Sequence, residues 1–179
     1  AFMILVPFSR MYVGVHTPAD VLVGSAMALI MVFAFKPLML GNGKKNIPIV
    51  FAVLLSLSIA NLLFVELYPF PADVDDHNYN SALKNAYTFL GCFLGILIVY
   101  FVDEKKLIFH TEAVWWAQIL KALGGLAVVL AVKSGMKPVL ELIMPEMPAR
   151  AVRYCMIVVV AGIVWPLTFK WFAKLGRKE

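Results

Sequence analysis

Ser9, Arg10, His16 and Asp20 share the short polar stretch "SRMYVGVHTPAD", set between two strongly apolar segments. These residue types at these spacings suit phosphate chemistry. A helix beginning at "TPAD" has Thr17 as N-cap, Pro18 at its first position and Asp20 at its third. His16 then stands just ahead of a helix N-terminus, where unpaired N–H groups and the helix dipole favour an anion. Asp20 follows His16 by about one helical turn. Its carboxylate is placed to accept the proton of one imidazole nitrogen and leave the other as a nucleophile. This is the base-and-orienter logic of catalytic triads, with His itself attacking. Arg10 adds a planar fork of donors matched to phosphoryl oxygens. The same residues also allow a purely structural account, in which "TPAD" is a helix start, Ser9 and Arg10 an interfacial exit, and His16 incidental.

The elements that must position these residues are membrane helices. The chain has 179 residues, 62% hydrophobic and 15% charged, with a mean hydropathy of +0.86. Soluble domains run at about 45–50% apolar and about 25% charged. Five apolar stretches, at residues 20–40, 47–69, 86–102, 113–132 and 151–169, approach the roughly 20 residues that span a bilayer. Residues 1–8 have the character of the last turns of a further, truncated helix. The fold class expected is all-α: a multi-pass helical membrane protein with about five full transmembrane helices plus that helix end. Helices satisfy their own backbone polar groups within lipid. The segments "GNGKKN", "PADVDDHNYNSALKN", "DEKKLIFHTE" and "KSGMKPVLELIMPEMPAR" are expected to be polar connectors.

Charge placement sets an orientation. Lys36, Lys44, Lys45, Lys105, Lys106, Lys170, Lys174, Arg177 and Lys178 fall on one side of the spans. Arg10, Lys84, Lys133, Lys137, Arg150 and Arg153 fall on the other, with acidic Asp73, Asp75 and Asp76. The positive-inside rule makes the more basic side cytoplasmic and puts Arg10–Asp20 on the extracytoplasmic face of the cell membrane. The net charge of +5 therefore answers to membrane insertion and gives no reason to expect a nucleic-acid partner. Cys92 and Cys155 sit in apolar runs as small hydrophobes. Trp115, Trp116, Trp165 and Trp171 fall near span ends, where interfacial belts form. Lys121, inside the fourth span, is expected to snorkel or face the bundle, with an ion path as the functional alternative. The run "DVDDHN" around His77 is expected to be a solvated loop, the alternative being a weak divalent-metal site. His110 falls on the opposite side.

Ser9, Arg10, His16 and Asp20 match S-R-x-x-x-x-x-H-x-x-x-D, and here the chain resembles the third signature motif of the type-2 phosphatidic acid phosphatase and haloperoxidase superfamily. Four fixed positions match by chance in a chain this long on the order of once in a thousand, from average residue usage. Gly14 and the following "VLVGSAMALIM" resemble the membrane branch of that superfamily. The segments "SALKNAYTFLG" and "RYCMIVVVAGIVWPLTFKWF" are similar to the C-terminal helices of sphingosine-phosphate-phosphatase-like members. The resemblance implies that His16 attacks phosphorus and forms a phosphohistidine, that Asp20 orients it, and that Arg10 binds the phosphoryl oxygens. It implies no metal and no cofactor, and a membrane lipid phosphate as the substrate. It also implies that residues 1–40 close the phosphatase core and that residues 41–179 are accessory transmembrane helices. The other family motifs, K-x-x-x-x-x-x-R-P and P-S-G-H, do not occur in this sequence. They normally lie upstream of the third, so the chain is expected to be a C-terminal fragment holding half of an active site and inactive by itself.

Two other functions compete with a lipid phosphatase. The same constellation holds vanadate in haloperoxidases, which are soluble, unlike a chain of apolar spans. A non-enzymatic transporter or bundle component would use "SRMYVGVHTPAD" only as a connector, with Lys121 and Glu66 as its intramembrane charges. The lysine distribution generates a direct test of topology. With Cys92 and Cys155 replaced, a cysteine at Asn78 is expected to label with an impermeant maleimide in intact cells, and one at Lys178 is not. Reversed labelling would place the Arg10–Asp20 segment on the cytoplasmic face.

Overall fold

The structure, a computed structural model, describes residues 2–14, 17–40, 43–71, 73–106 and 114–174. Every regular element among them is helical: α1 (Phe2–Tyr12), α2 (Pro18–Leu40), α3 (Gly43–Leu67), α4 (Asp76–Lys106), α5 (Trp115–Ile143) and α6 (Glu146–Val159). A π-helical turn (Val160–Val164) continues α6 into two short pieces, α7 (Trp165–Leu167) and α8 (Phe169–Phe172). Five stretches are long and apolar enough to cross a membrane: Pro18–Pro37, Asn46–Leu67, Asp76–Asp103, Trp115–Ile143 and Glu146–Phe172. The protein is a multi-pass helical membrane protein. In no span is more than 17% of the most apolar stretch buried within the protein, so lipid must cover the remainder.

The helices outrun the spans expected from hydropathy. Residues 76–85, expected as connector, form the first turns of α4, and "GKKN" opens α3. The expected connector 133–150 is mostly helix, with α5 reaching Ile143 and α6 starting at Glu146. The physical reason is length. At 1.5 Å per residue the 28-residue Asp76–Asp103 span is about 42 Å long, the thickness of a bilayer including its headgroup layers. Polar residues at these helix ends belong to the headgroup zone, and a hydropathy window does not see them.

The chain divides into two compact units, 1–50 and 51–179. In the first, α1 ends in a tight turn. Val13 N–H donates to the Ser9 carbonyl and Gly14 N–H to the Met11 carbonyl, each at 3.0 Å. Gly14 carries φ +72°, the left-handed conformation that terminates helices and that glycine adopts without penalty.

In the second unit the central contact is between α4 and α6. A Cβ at Gly91 would collide with the Ala151 carbonyl, and one at Gly95 would lie 2.7 Å from Val158 and 2.9 Å from the Cys155 carbonyl oxygen. Across the seam a Cβ at Gly162 would lie 2.7 Å from the Val99 methyls. Gly91 and Gly95 form a G-x-x-x-G face, which lets two helix backbones approach in a solvent where apolar burial gives helices little reason to associate. Helix α3 joins α4 through side chains: Phe51 meets the Tyr100 ring edge-on at 5.2 Å, and the Tyr87 hydroxyl donates to Glu66 Oε1 at 2.5 Å. Glu66 is thus a hydrogen-bond acceptor between helices.

Trp165 is a packing residue: its indole lies against Gly124 and Gly125 of α5, where an added Cβ would come within 2.6 Å and 2.8 Å of it. Trp115, Trp116 and Trp171 are exposed. The π turn ahead of Trp165 answers to Pro166, which has no N–H and whose ring would crowd the Gly162 carbonyl in a regular helix. The Trp165 N–H accordingly bonds to the Val160 carbonyl.

The seam makes a stability prediction. Gly95→Leu should lower stability in detergent by about 1–3 kcal/mol or more, the cost of overpacking a close contact. Gly135→Ala, where an added Cβ meets nothing within 4 Å, should be neutral or stabilising by up to about 1 kcal/mol. Equal effects of the two substitutions on denaturant unfolding would mean that α4 and α6 do not meet at this seam.

Candidate active site

Helix α2 begins where the sequence places it. Thr17 N–H donates to Asp20 Oδ2 at 2.9 Å, and Asp20 N–H donates to Thr17 Oγ1 at 3.2 Å. This reciprocal pair satisfies two backbone donors at the helix start. It also fixes the Asp20 side chain, which is exposed, over the first turn. A carboxylate has two oxygens with several lone pairs, so capping and orienting a neighbouring imidazole are compatible tasks for one side chain. Ser9 lies in the last turns of α1 and donates its hydroxyl to the Val6 carbonyl at 2.8 Å. Arg10 belongs to the same helix, with its side chain outside the described residues, as is the whole of His16. The polar stretch is therefore half helix: Ser9–Tyr12 closes α1, Gly14 turns the chain, and Pro18–Asp20 opens α2. His16 directly precedes the capping threonine in sequence.

The other chemistry-bearing residues fall in the second unit. Lys121 is 5% exposed, with its Nζ 4.8 Å from the Phe169 ring centroid. It lines a cleft of about 370 Å³ with Gln118, Trp165 and Phe169, so it faces the bundle and does not snorkel. His77 is in the first turn of α4, exposed, with its N–H 3.4 Å from Asp75 Oδ1; the expected loop there is a helix start. No group of three or more His, Cys, Asp or Glu residues able to hold a metal occurs among the described residues. His110 lies outside them.

One polar cluster escaped the reading of the sequence. Arg150 Nε donates to Thr88 Oγ1 across the α4–α6 seam at 3.0 Å, and Thr88 in turn donates to the Lys84 carbonyl at 2.8 Å. The guanidinium carbons of Arg150 and Arg153 each lie 5.7 Å from the centroid of the Tyr154 ring. In the sequence the two arginines have the character of flanking charges, which carries no sign of burial. Their spacing, Arg150 and Arg153 followed by Tyr154 inside a helix, was the available signal.

Comparison with known proteins matches residues 87–178 to a family described as PAP2 superfamily phosphatase, transmembrane extension. The match covers more than half of the chain, and the protein belongs to that superfamily of phosphatases. Searches of the curated proteins and of the solved structures return no match.

Proposed function

We propose that this protein serves an integral-membrane phosphatase that hydrolyses a lipid phosphate monoester or pyrophosphate through a phosphohistidine. The observation that carries the proposal is the agreement of two separate stretches. The family match spans residues 87–178, whereas the S-R-x-x-x-x-x-H-x-x-x-D constellation lies at Ser9–Asp20, wholly outside it. Both point to the same superfamily, and neither borrows from the other.

In the proposed reaction one imidazole nitrogen of His16 attacks phosphorus and the P–O bond to the lipid alkoxide breaks. The leaving oxygen takes its proton from a general acid supplied by the family motifs that residues 1–179 do not contain. Water then cleaves the P–N bond, releasing inorganic phosphate and restoring His16. Asp20 keeps the imidazole in the productive tautomer, and the Arg10 fork binds the non-bridging oxygens as charge develops on them. Residues 1–40 would form the part of the catalytic core that presents this motif, and residues 41–179 the accessory transmembrane helices. With the motif on the extracytoplasmic face, a lipid would present its phosphate while its tail stays in the bilayer. Helix α2 begins at this site and continues across the membrane, so its exposed apolar residues, among them Leu22, Val23 and Phe33, give the tail an apolar surface beside the motif.

Phosphate release from a dispersed lipid phosphate tests the assignment in a protein carrying all of the family motifs. His16→Ala should reduce turnover to background. Asp20→Asn should lower it by about 10²–10⁴-fold, the scale of lost acid–base or orienting function. It should do so with the fold retained, because an amide oxygen still accepts the Thr17 N–H. Arg10→Lys keeps the charge but loses the bidentate fork, so it should behave as a damaging change. Undiminished release by His16→Ala would end the phosphohistidine proposal.

A further inference from the structure

Arg153 is 7% exposed, and its Nε is buried with no hydrogen-bond partner among the described residues. It lies on the α6 face that carries the buried residues Ala149 and Ile157, spaced four apart. At 100° per residue this face is turned roughly opposite to the Ala151, Cys155 and Val158 face that meets the glycines of α4. Snorkelling does not account for it, because a side chain that reaches the interface remains exposed. Nor does an ion pair: among the described residues the salt bridge present is Lys137 with Glu141, and the carboxylate of Glu66 accepts the Tyr87 hydroxyl. A buried cation left unpaired is costly, and in transmembrane segments such groups mark ligand and ion sites.

Arg150 completes the arrangement. Its Nε is held by Thr88, which fixes the guanidinium, and the same Tyr154 ring that Arg153 approaches lies 5.7 Å from it. Around one aromatic ring stand two guanidinium forks with no carboxylate bonded to either among the described residues: Arg150 Nε has only the neutral Thr88 hydroxyl, and the buried Arg153 Nε has no acceptor. A guanidinium pairs bidentately with carboxylate or phosphate oxygens. Two of them together match a dianion, and the anion abundant at the ends of membrane helices is lipid phosphate. We propose that Arg153 and Arg150, with Thr88 and Tyr154 as supports, form a second anion site in the transmembrane extension that binds a phosphate monoester group. No bond is made or broken there.

The chain is reconstituted in nanodiscs of phosphatidylcholine alone, or with phosphatidate or phosphatidylglycerol added, and its thermal unfolding and lipid binding are measured. Wild-type protein should melt at higher temperature with phosphatidate than with either other composition. Arg153→Gln should lose that rise and bind phosphatidate at least tenfold more weakly. In phosphatidylcholine alone it should melt no lower than wild type, because the substitution removes an unpaired buried charge. Inorganic phosphate titrated onto phosphatidylcholine discs identifies the source of the ligand: a matching rise makes it a soluble anion, and no rise makes it a lipid headgroup. The readout is binding and thermal unfolding and not turnover, so failure of the catalytic proposal leaves this one standing, and the reverse holds too. If Arg153→Gln cannot be recovered folded, Arg150→Gln takes its place with the same tenfold expectation. The proposal is overturned by a wild-type response to neither phosphatidate nor phosphate, by an equal response to phosphatidylglycerol, or by a variant that responds as wild type does.

Discussion

Helices α4 and α6 approach so closely at Gly91, Gly95 and Gly162 that a single methyl group at any of the three would meet the opposite helix at less than contact distance. Within a bilayer that constraint matters more than it would in water. Lipid tails are as apolar as leucine, so helices gain little by hiding apolar side chains from them, and close backbone packing and interhelical hydrogen bonds take over. The second unit shows both. The seam sets the register of α4 against α6, and that register brings Thr88 within 3.0 Å of Arg150, one turn beyond the Gly91–Ala151 contact. Trp165 repeats the device on α5, its indole resting on the paired glycines Gly124 and Gly125.

The polar groups of this unit follow from the same packing. The Tyr87–Glu66 hydrogen bond ties α3 to α4 where few backbone contacts do, and a carboxylate at a helix end is satisfied without an ion pair. Lys121 rests its ammonium against Phe169 in a cleft bounded by Trp165. Arg153 differs from both in having a buried nitrogen without an acceptor among the described residues. The π turn at Val160–Val164 lies about two to three turns further along from Arg153, where Pro166 forces the helix to widen, and it carries Gly162 into the seam. A proline that disturbs the helix and a glycine that admits a neighbour are thus four residues apart.

The number and class of elements were legible in the sequence, because about 20 apolar residues in a row allow few outcomes other than a membrane helix. The start of α2 was legible for a different reason. Thr17 and Asp20 are local, and their reciprocal hydrogen bonds need no tertiary partner. Helix ends were not legible: hydropathy stops at Ala86 or Val132, while backbone bonding carries the helices through polar residues to Asp76 and Ile143. Partners across helices were hidden too. Trp165 has the composition of an interfacial residue, and only the glycines opposite it, some 40 residues away in sequence, make it a packing residue. Arg153 looked like a flanking charge because burial is a property of the neighbours. Of the candidate catalytic residues, Asp20 is seen in place at the head of α2, whereas His16 and the Arg10 side chain lie outside the described residues.

The central claim is that His16 carries a phosphoryl group during turnover. Rapid quench of a protein bearing all the family motifs, during turnover of a phosphorus-labelled lipid phosphate, tests it directly when followed by peptide mass spectrometry at alkaline pH. The account predicts a phosphoryl group that survives base, is lost in acid, and maps to the peptide containing His16. Label on any other residue, or rapid turnover with no phosphorylated peptide trapped at any quench time, would contradict it.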